Sequence, residues 1–159
     1  MIDNAAMDHL RRCVELAAEA LALGDEPFGS VLVGPDGVVL MEDHNRVAGG
    51  DGTRHPELEI ARWAAASLPP DQRAASTVYT SGEHCPMCSA AHAWAGLGRI
   101  VYVASAQQIR PWKEAFGGGG ASPVRPLPIH EVAPGIPVEG PVPELADGVR
   151  ELVRRWMLR

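Results

Sequence analysis

The chain has 159 residues and a mass of 16.9 kDa, with 46% hydrophobic and 21% charged residues, which suits one folded domain and excludes a disordered chain. No stretch approaches the roughly 18 apolar residues of a membrane-spanning helix, and MIDNAAMDHLRR lacks the basic start and apolar run of a secretory signal, so neither membrane nor secretion is expected. A net charge of −6 lacks the basic footprint of a nucleic-acid binder, and the arginines at 150, 154, 155 and 159 read as a solvated helix face.

Residues 3–22 carry Leu10, Cys13, Val14, Ala17, Ala20 and Leu21 at helical spacing, and Gly24 can end that helix. FGSVLVG and VVLMEDH flank Pro35-Asp36-Gly37, a turn-forming tripeptide, and predict a hairpin. AGGDGTR is a loop. HPELEIARWAAAS (55–67) predicts a helix with Pro56 in its first turn, stopped by Pro69-Pro70. STVYTS (76–81) predicts a strand, 86–96 a helix led by Pro86, RIVYVAS (99–105) a strand buried on both faces, and 107–115 a short helix. From Gly117 to Pro143 glycine and proline dominate, with PIHEV (128–132) the only strand candidate; this is a surface segment or a flexible arm. A helix over 144–158 closes the chain. Strands joined through helices pair in parallel by right-handed crossovers, so the expected fold is a single α/β domain, a three-layer α/β/α sandwich around a mixed sheet.

There are three cysteines, an odd count with two in Cys85-Pro-Met-Cys88, which is no disulfide framework and fits a reducing, cytoplasmic setting; Cys13 reads as a small core residue. His55, Cys85 and Cys88 make three protein donors for Zn²⁺, and a catalytic zinc site keeps its fourth position for water whereas structural sites use four protein ligands. Both segments begin helices, whose N-terminal N–H groups favour thiolates. Glu57, two residues beyond His55, can face that water without binding the metal and can shuttle its proton to a leaving amine.

His-x-Glu followed about thirty residues later by Cys-x-x-Cys resembles the zinc-dependent cytidine-deaminase-like superfamily. The resemblance runs from about Pro27 to Ser105 through PFGSVLV, Asn45, HPELEIA, TVYTSGEHCPMC and GRIVYVAS, and is strongest to the branch of guanine deaminases, fungal-type cytosine deaminase and tRNA adenosine deaminases. It implies the cytidine-deaminase-like fold, zinc on His55, Cys85 and Cys88, and Glu57 as the catalytic proton carrier. It further implies a substrate-binding Asn45, a ring-packing Phe28, a substrate-contacting Trp94 and a homodimer; Glu83, just before the cysteine motif, reads from its position as a support of that loop. Two positions depart from the family pattern. His84 stands where proline is usual, read as a pocket wall or an outward-facing side chain, and Pro56 stands where alanine is common.

The expected activity is hydrolytic deamination of a nucleobase or related small amino-heterocycle, guanine being preferred on the resemblance alone. A tRNA adenosine deaminase acting on a flipped base and a non-catalytic zinc-stabilised module are the alternatives; Glu57 argues against the second, since zinc ligation does not need it.

Overall fold

A computed structural model describes residues 2–118, 120 and 122–159. Gly119 and Ala121 of the Gly/Pro-rich segment thus lie outside the described residues, as does Met1. Helix α1 (Asn4–Ala22) starts where Asp3 Oδ1 accepts the Ala6 N–H at 2.8 Å. Strands β1 (Gly29–Val33) and β2 (Val39–His44) form the expected antiparallel hairpin. Then follow α2 (Pro56–Ser67), α3 (Pro70–Ala75), β3 (Thr77–Gly82), α4 (Pro86–Ala95), β4 (Ile100–Ala104) and α5 (Ala106–Ala115). The chain closes with α6 (Ile129–Val132), β5 (Val138–Glu139) and α7 (Pro143–Met157).

The sheet has the order β2-β1-β3-β4-β5. β1 is antiparallel to both of its neighbours, whereas β3, β4 and β5 run parallel, as helix-linked strands require. Side chains alternate faces along each strand. Val31, Val33, Tyr79, Val101 and Val103 pack with Leu10, Cys13, Ile109, Val149 and Val153, under α1, α5 and α7. Leu32 and Val78 point the other way, onto Ile60, Ala61 and Ala64 of α2, with Ala91 and Ala95 of α4 against the same cluster. Each fully buried side chain such as Leu32 or Ile60 contributes roughly 1.5–3 kcal/mol. Cys13 is fully buried, as expected of a core residue.

Gly29 sets how closely α1 lies on the sheet. A Cβ there would sit 2.6 Å from the Cys13 carbonyl oxygen and 2.8 Å from the Ala17 nitrogen.

Three local expectations are corrected. Pro69-Pro70 ends α2 but also begins α3, because Pro70 occupies a first helical position that needs no N–H. PIHEV is not a strand: Pro128 is the extended N-cap of α6, and Ile129, 1% exposed, anchors that turn in the core. The strand that this region does form is β5, beside β4, which was not anticipated; the Ile100 N–H donates to Pro137 O at 2.9 Å. A two-residue strand between Pro137 and Pro141 suits a sheet edge, where missing N–H groups leave no ladder bond unmade. Among the described residues no helix is long and apolar enough to cross a membrane.

Candidate metal centre and active site

The carboxyl end of β3 and the start of β1 lie at the same end of the sheet, because the two strands are antiparallel. α2 and α4 pack on each other, and each begins with the same device. His55 is the extended N-cap of α2 and Cys85 that of α4, each followed by a proline at the first helical position. Cys88 lies one turn into α4, where its N–H donates to Cys85 Sγ at 3.5 Å.

This arrangement brings three donors together. His55 Nδ1 lies 3.5 Å from Cys85 Sγ and 3.6 Å from Cys88 Sγ, and all three donor atoms lie within 4.8 Å of one another. A tetrahedral zinc with Zn–N near 2.05 Å and Zn–S near 2.3 Å sets N···S edges of about 3.6 Å. The donor set therefore fits zinc in both chemistry and spacing, and the ring nitrogen turned to the thiols is Nδ1.

Electrostatics favour a charged sulfur here. The Cys85 thiol is pulled down to about 4, first by the Cys88 thiol donating to it and then by His55 and the Cys88 N–H. The same contact, with burial, pushes Cys88 up. Zinc binding demands both as thiolates, which a dication's charge supplies. His55 is raised by its bond to Cys85.

Glu57 is 6% exposed on the first turn of α2, two residues beyond His55, and its charge acts on both His55 and Cys88. Burial raises its carboxyl above the usual range. Thr80 Oγ1 donates to Glu57 Oε1 at 2.9 Å and accepts from Ser30 Oγ at 2.9 Å, with Ser30 Oγ itself 3.1 Å from Oε1. Thr80 thus holds one oxygen of the carboxylate, and Ser30, donating to Thr80, orients it. Sequence reasoning missed both. Ser30 carried a signal, as the single hydroxyl of an otherwise apolar β1, whereas Thr80 did not stand out on β3 beside Thr77, Tyr79 and Ser81.

A sequence model of the cytidine and deoxycytidylate deaminase zinc-binding region matches residues 3–104, from the cap of α1 to the end of β4. The chain belongs to the cytidine and deoxycytidylate deaminase family. Among relatives of this deaminase-family chain, a guanine deaminase of Bacillus subtilis is 39% identical over 97 residues, 60% of this chain and 62% of that protein. A tRNA-specific adenosine deaminase of Haemophilus influenzae is 34% identical over 97 residues, 60% of this chain and 56% of that protein. The chain thus spans about three fifths of the length of these two relatives. The fold is shared over the whole chain with a guanine deaminase from Nitrosomonas europaea, at a TM-score of 0.73 and 24% identity, covering 100% of this chain and 87% of that one.

The remaining predicted positions are less uniform. Asn45 is 1% exposed; its N–H donates to Phe28 O at 2.9 Å and its Oδ1 accepts the Val47 N–H at 3.1 Å, so half of its amide serves a local turn. Phe28 is half-buried against Gly82 and Ile109, with Lys113 Nζ 5.4 Å from its ring centre. Trp94 is 91% exposed on the last turn of α4, about 9 Å along the helix from Cys88. His84 is not outward-facing: it is fully buried, edge-on to His92 at 5.4 Å, and stands outside the donor cluster.

Proposed function

We propose that this protein is a zinc-dependent hydrolytic deaminase of a nucleobase or related small amino-heterocycle, with guanine the first substrate to try. The observation that carries this reading is the tetrahedral spacing of His55 Nδ1, Cys85 Sγ and Cys88 Sγ with a buried carboxylate, Glu57, at their side. A zinc ion held by these donors acidifies water, the nucleophile of the reaction. Glu57 takes the proton that water loses on attacking the amine-bearing ring carbon, gives it to the ring nitrogen, and passes a second to the amine, which leaves as ammonia. The hydroxyls of Thr80 and Ser30 fix Glu57 so that a single oxygen does this carrying. The remaining amide hydrogens of Asn45 suit an acceptor on the heterocycle, and Phe28 suits its ring face.

Guanine is favoured by the name of the 39% identical relative. The tRNA reading draws on another relative's name, but the chain's charge is unsuited to it. Of the C-terminal arginines, Arg154 pairs with Glu151, Arg150 stacks over Phe116 and Arg159 donates to the Leu21 carbonyl, so these three are engaged within the chain. A purely structural zinc module gives no reason for the Glu57–Thr80–Ser30 chain.

The protein in this reading is a cytoplasmic homodimer. Three free cysteines suit a reducing compartment, and the exposed Trp94 belongs to the subunit contact, reaching substrate only from a neighbouring copy. The test is ammonia release from a panel of purines, pyrimidines, nucleosides, triazines and a tRNA anticodon hairpin, with zinc measured on the same preparation. Stoichiometric zinc with no ammonia from any of them would sink the proposal.

A further inference from the structure

The matched family region ends at residue 104, yet one carboxylate within it reaches past that limit twice. Glu83 stands two residues before Cys85, and its own N–H donates to Ala104 O at 2.8 Å, which ties it to the end of β4. Its Oε2 accepts the Ala106 N–H at 2.8 Å, and its Oε1 accepts the Ile129 N–H at 2.9 Å. Ala106 begins α5 and Ile129 begins α6, so one side chain holds the starts of both helices to the loop that carries the metal donors.

The two bonds are not equivalent. α5 has its own capping box, in which Ser105 and Gln108 satisfy each other, so its start does not depend on Glu83. α6 follows Pro128, which offers no side-chain cap, and its single turn has no reserve of its own. Ile129 is buried to 1% exposure, and α6 packs against α4, the helix of Cys88. A one-turn helix between glycine and proline runs is not stable by itself, so something in the tertiary structure must fix it.

We propose that Glu83 is a positioning residue whose carboxylate clamps α6 beside the cysteine loop, making that turn a fixed wall of the site. A hydrogen bond to a charged acceptor is strong enough that its loss should free the turn by about tenfold or more. The consequence for substrate rests on the deaminase reading; the clamp itself does not.

The experiment compares wild type, Glu83→Ala and Glu83→Gln, each loaded with zinc, by amide hydrogen exchange and by cleavage after Glu131, an exposed residue of α6, with a glutamyl endopeptidase. Glu83→Ala should speed exchange at Ile129 and the rest of α6 by at least about tenfold and speed that cleavage in parallel. Amides of α5 should change less, those of α1 and α7 should stay protected, and zinc should remain at one per chain. Glu83→Gln, which keeps one acceptor oxygen and serves also if the alanine variant fails to fold, should show a smaller effect at α6. With guanine as probe, a clamp that sets the wall raises KM several-fold and leaves kcat within about twofold. Unchanged exchange at Ile129, or an increase spread evenly over α1, α5, α6 and α7, would overturn the proposal. The exchange and cleavage readings involve no turnover, so they decide the clamp even where guanine is not deaminated.

Discussion

Ser30 and Thr80 stand directly opposite each other on β1 and β3, their hydroxyl oxygens 2.9 Å apart, and both lie within 3.1 Å of Glu57 Oε1. The register of the sheet thus places a relay of two hydroxyls, Ser30 to Thr80, beneath a carboxylate carried by a helix. Removing the Thr80 hydroxyl while keeping the shape leaves a buried carboxylate short of a donor, which costs about 1–3 kcal/mol. Thr80→Val should therefore lower stability by that amount and reduce turnover while one zinc per chain remains. Denaturant unfolding and metal analysis of the variant check both, and an unchanged midpoint with unchanged turnover would remove Thr80 from the machinery.

Glu57→Gln separates catalysis from metal binding. The amide has nearly the same size, so the fold and the zinc should persist, while turnover should fall by about 10³-fold or more because one residue carries several protons. Paired zinc and ammonia measurements decide it, and near-wild-type ammonia release would exclude the proton-carrying role.

Cys88→Ala removes one of three donors from a site already at tetrahedral spacing. Zinc should drop well below one per chain, and the thermal midpoint should no longer respond to added zinc. Full stoichiometric zinc in that variant would assign the metal elsewhere.

His92 is buried, its Nε2 lies 2.7 Å from Gly98 O, and burial holds its pKa below the ordinary 6.5. The unfolded chain therefore binds this proton at higher pH than the native one. Its stability contribution is complete above about pH 6.5 and is lost as pH falls from there through the depressed native value. Denaturant titrations between pH 7.5 and about 5 should show stability falling as pH drops, and His92→Gln, held at the same zinc content, should fall less steeply. Parallel slopes for the two proteins would show that His92 carries none of the acid sensitivity.

Gly29→Ala places a methyl group 2.6 Å from the Cys13 carbonyl oxygen, against backbone on two sides. The helix must shift to admit it, and a destabilisation of about 2 kcal/mol or more is expected. Chemical denaturation checks this; a loss below about 0.5 kcal/mol would mean that α1 moves freely on the sheet.

Much of this protein is written locally. The periodicity of residues 3–22, the Pro-Asp-Gly turn, and the prolines that open α2 and α4 fixed the main elements, because each depends on neighbours in the chain. The donors His55, Cys85 and Cys88, and Glu57 beside them, were legible because their chemistry is specific and both cysteines lie on one helical turn. Their meeting point was not local: α2 and α4 must pack before the N···S distances close to 3.5 and 3.6 Å. Tertiary structure also decided what patterning could not. Strand register brought Ser30 to Thr80, PIHEV became a turn of helix whose first N–H finds Glu83, and the strand of that region formed at Val138–Glu139 beside β4. Trp94 shows the same limit, since the resemblance implies a substrate contact and only the packing reveals a side chain 91% exposed on the last turn of α4. Periodicity reports which residues prefer burial or a helix; the partner that a strand edge, a buried N–H or a carboxylate finds depends on segments tens of residues away, and only the assembled fold supplies it.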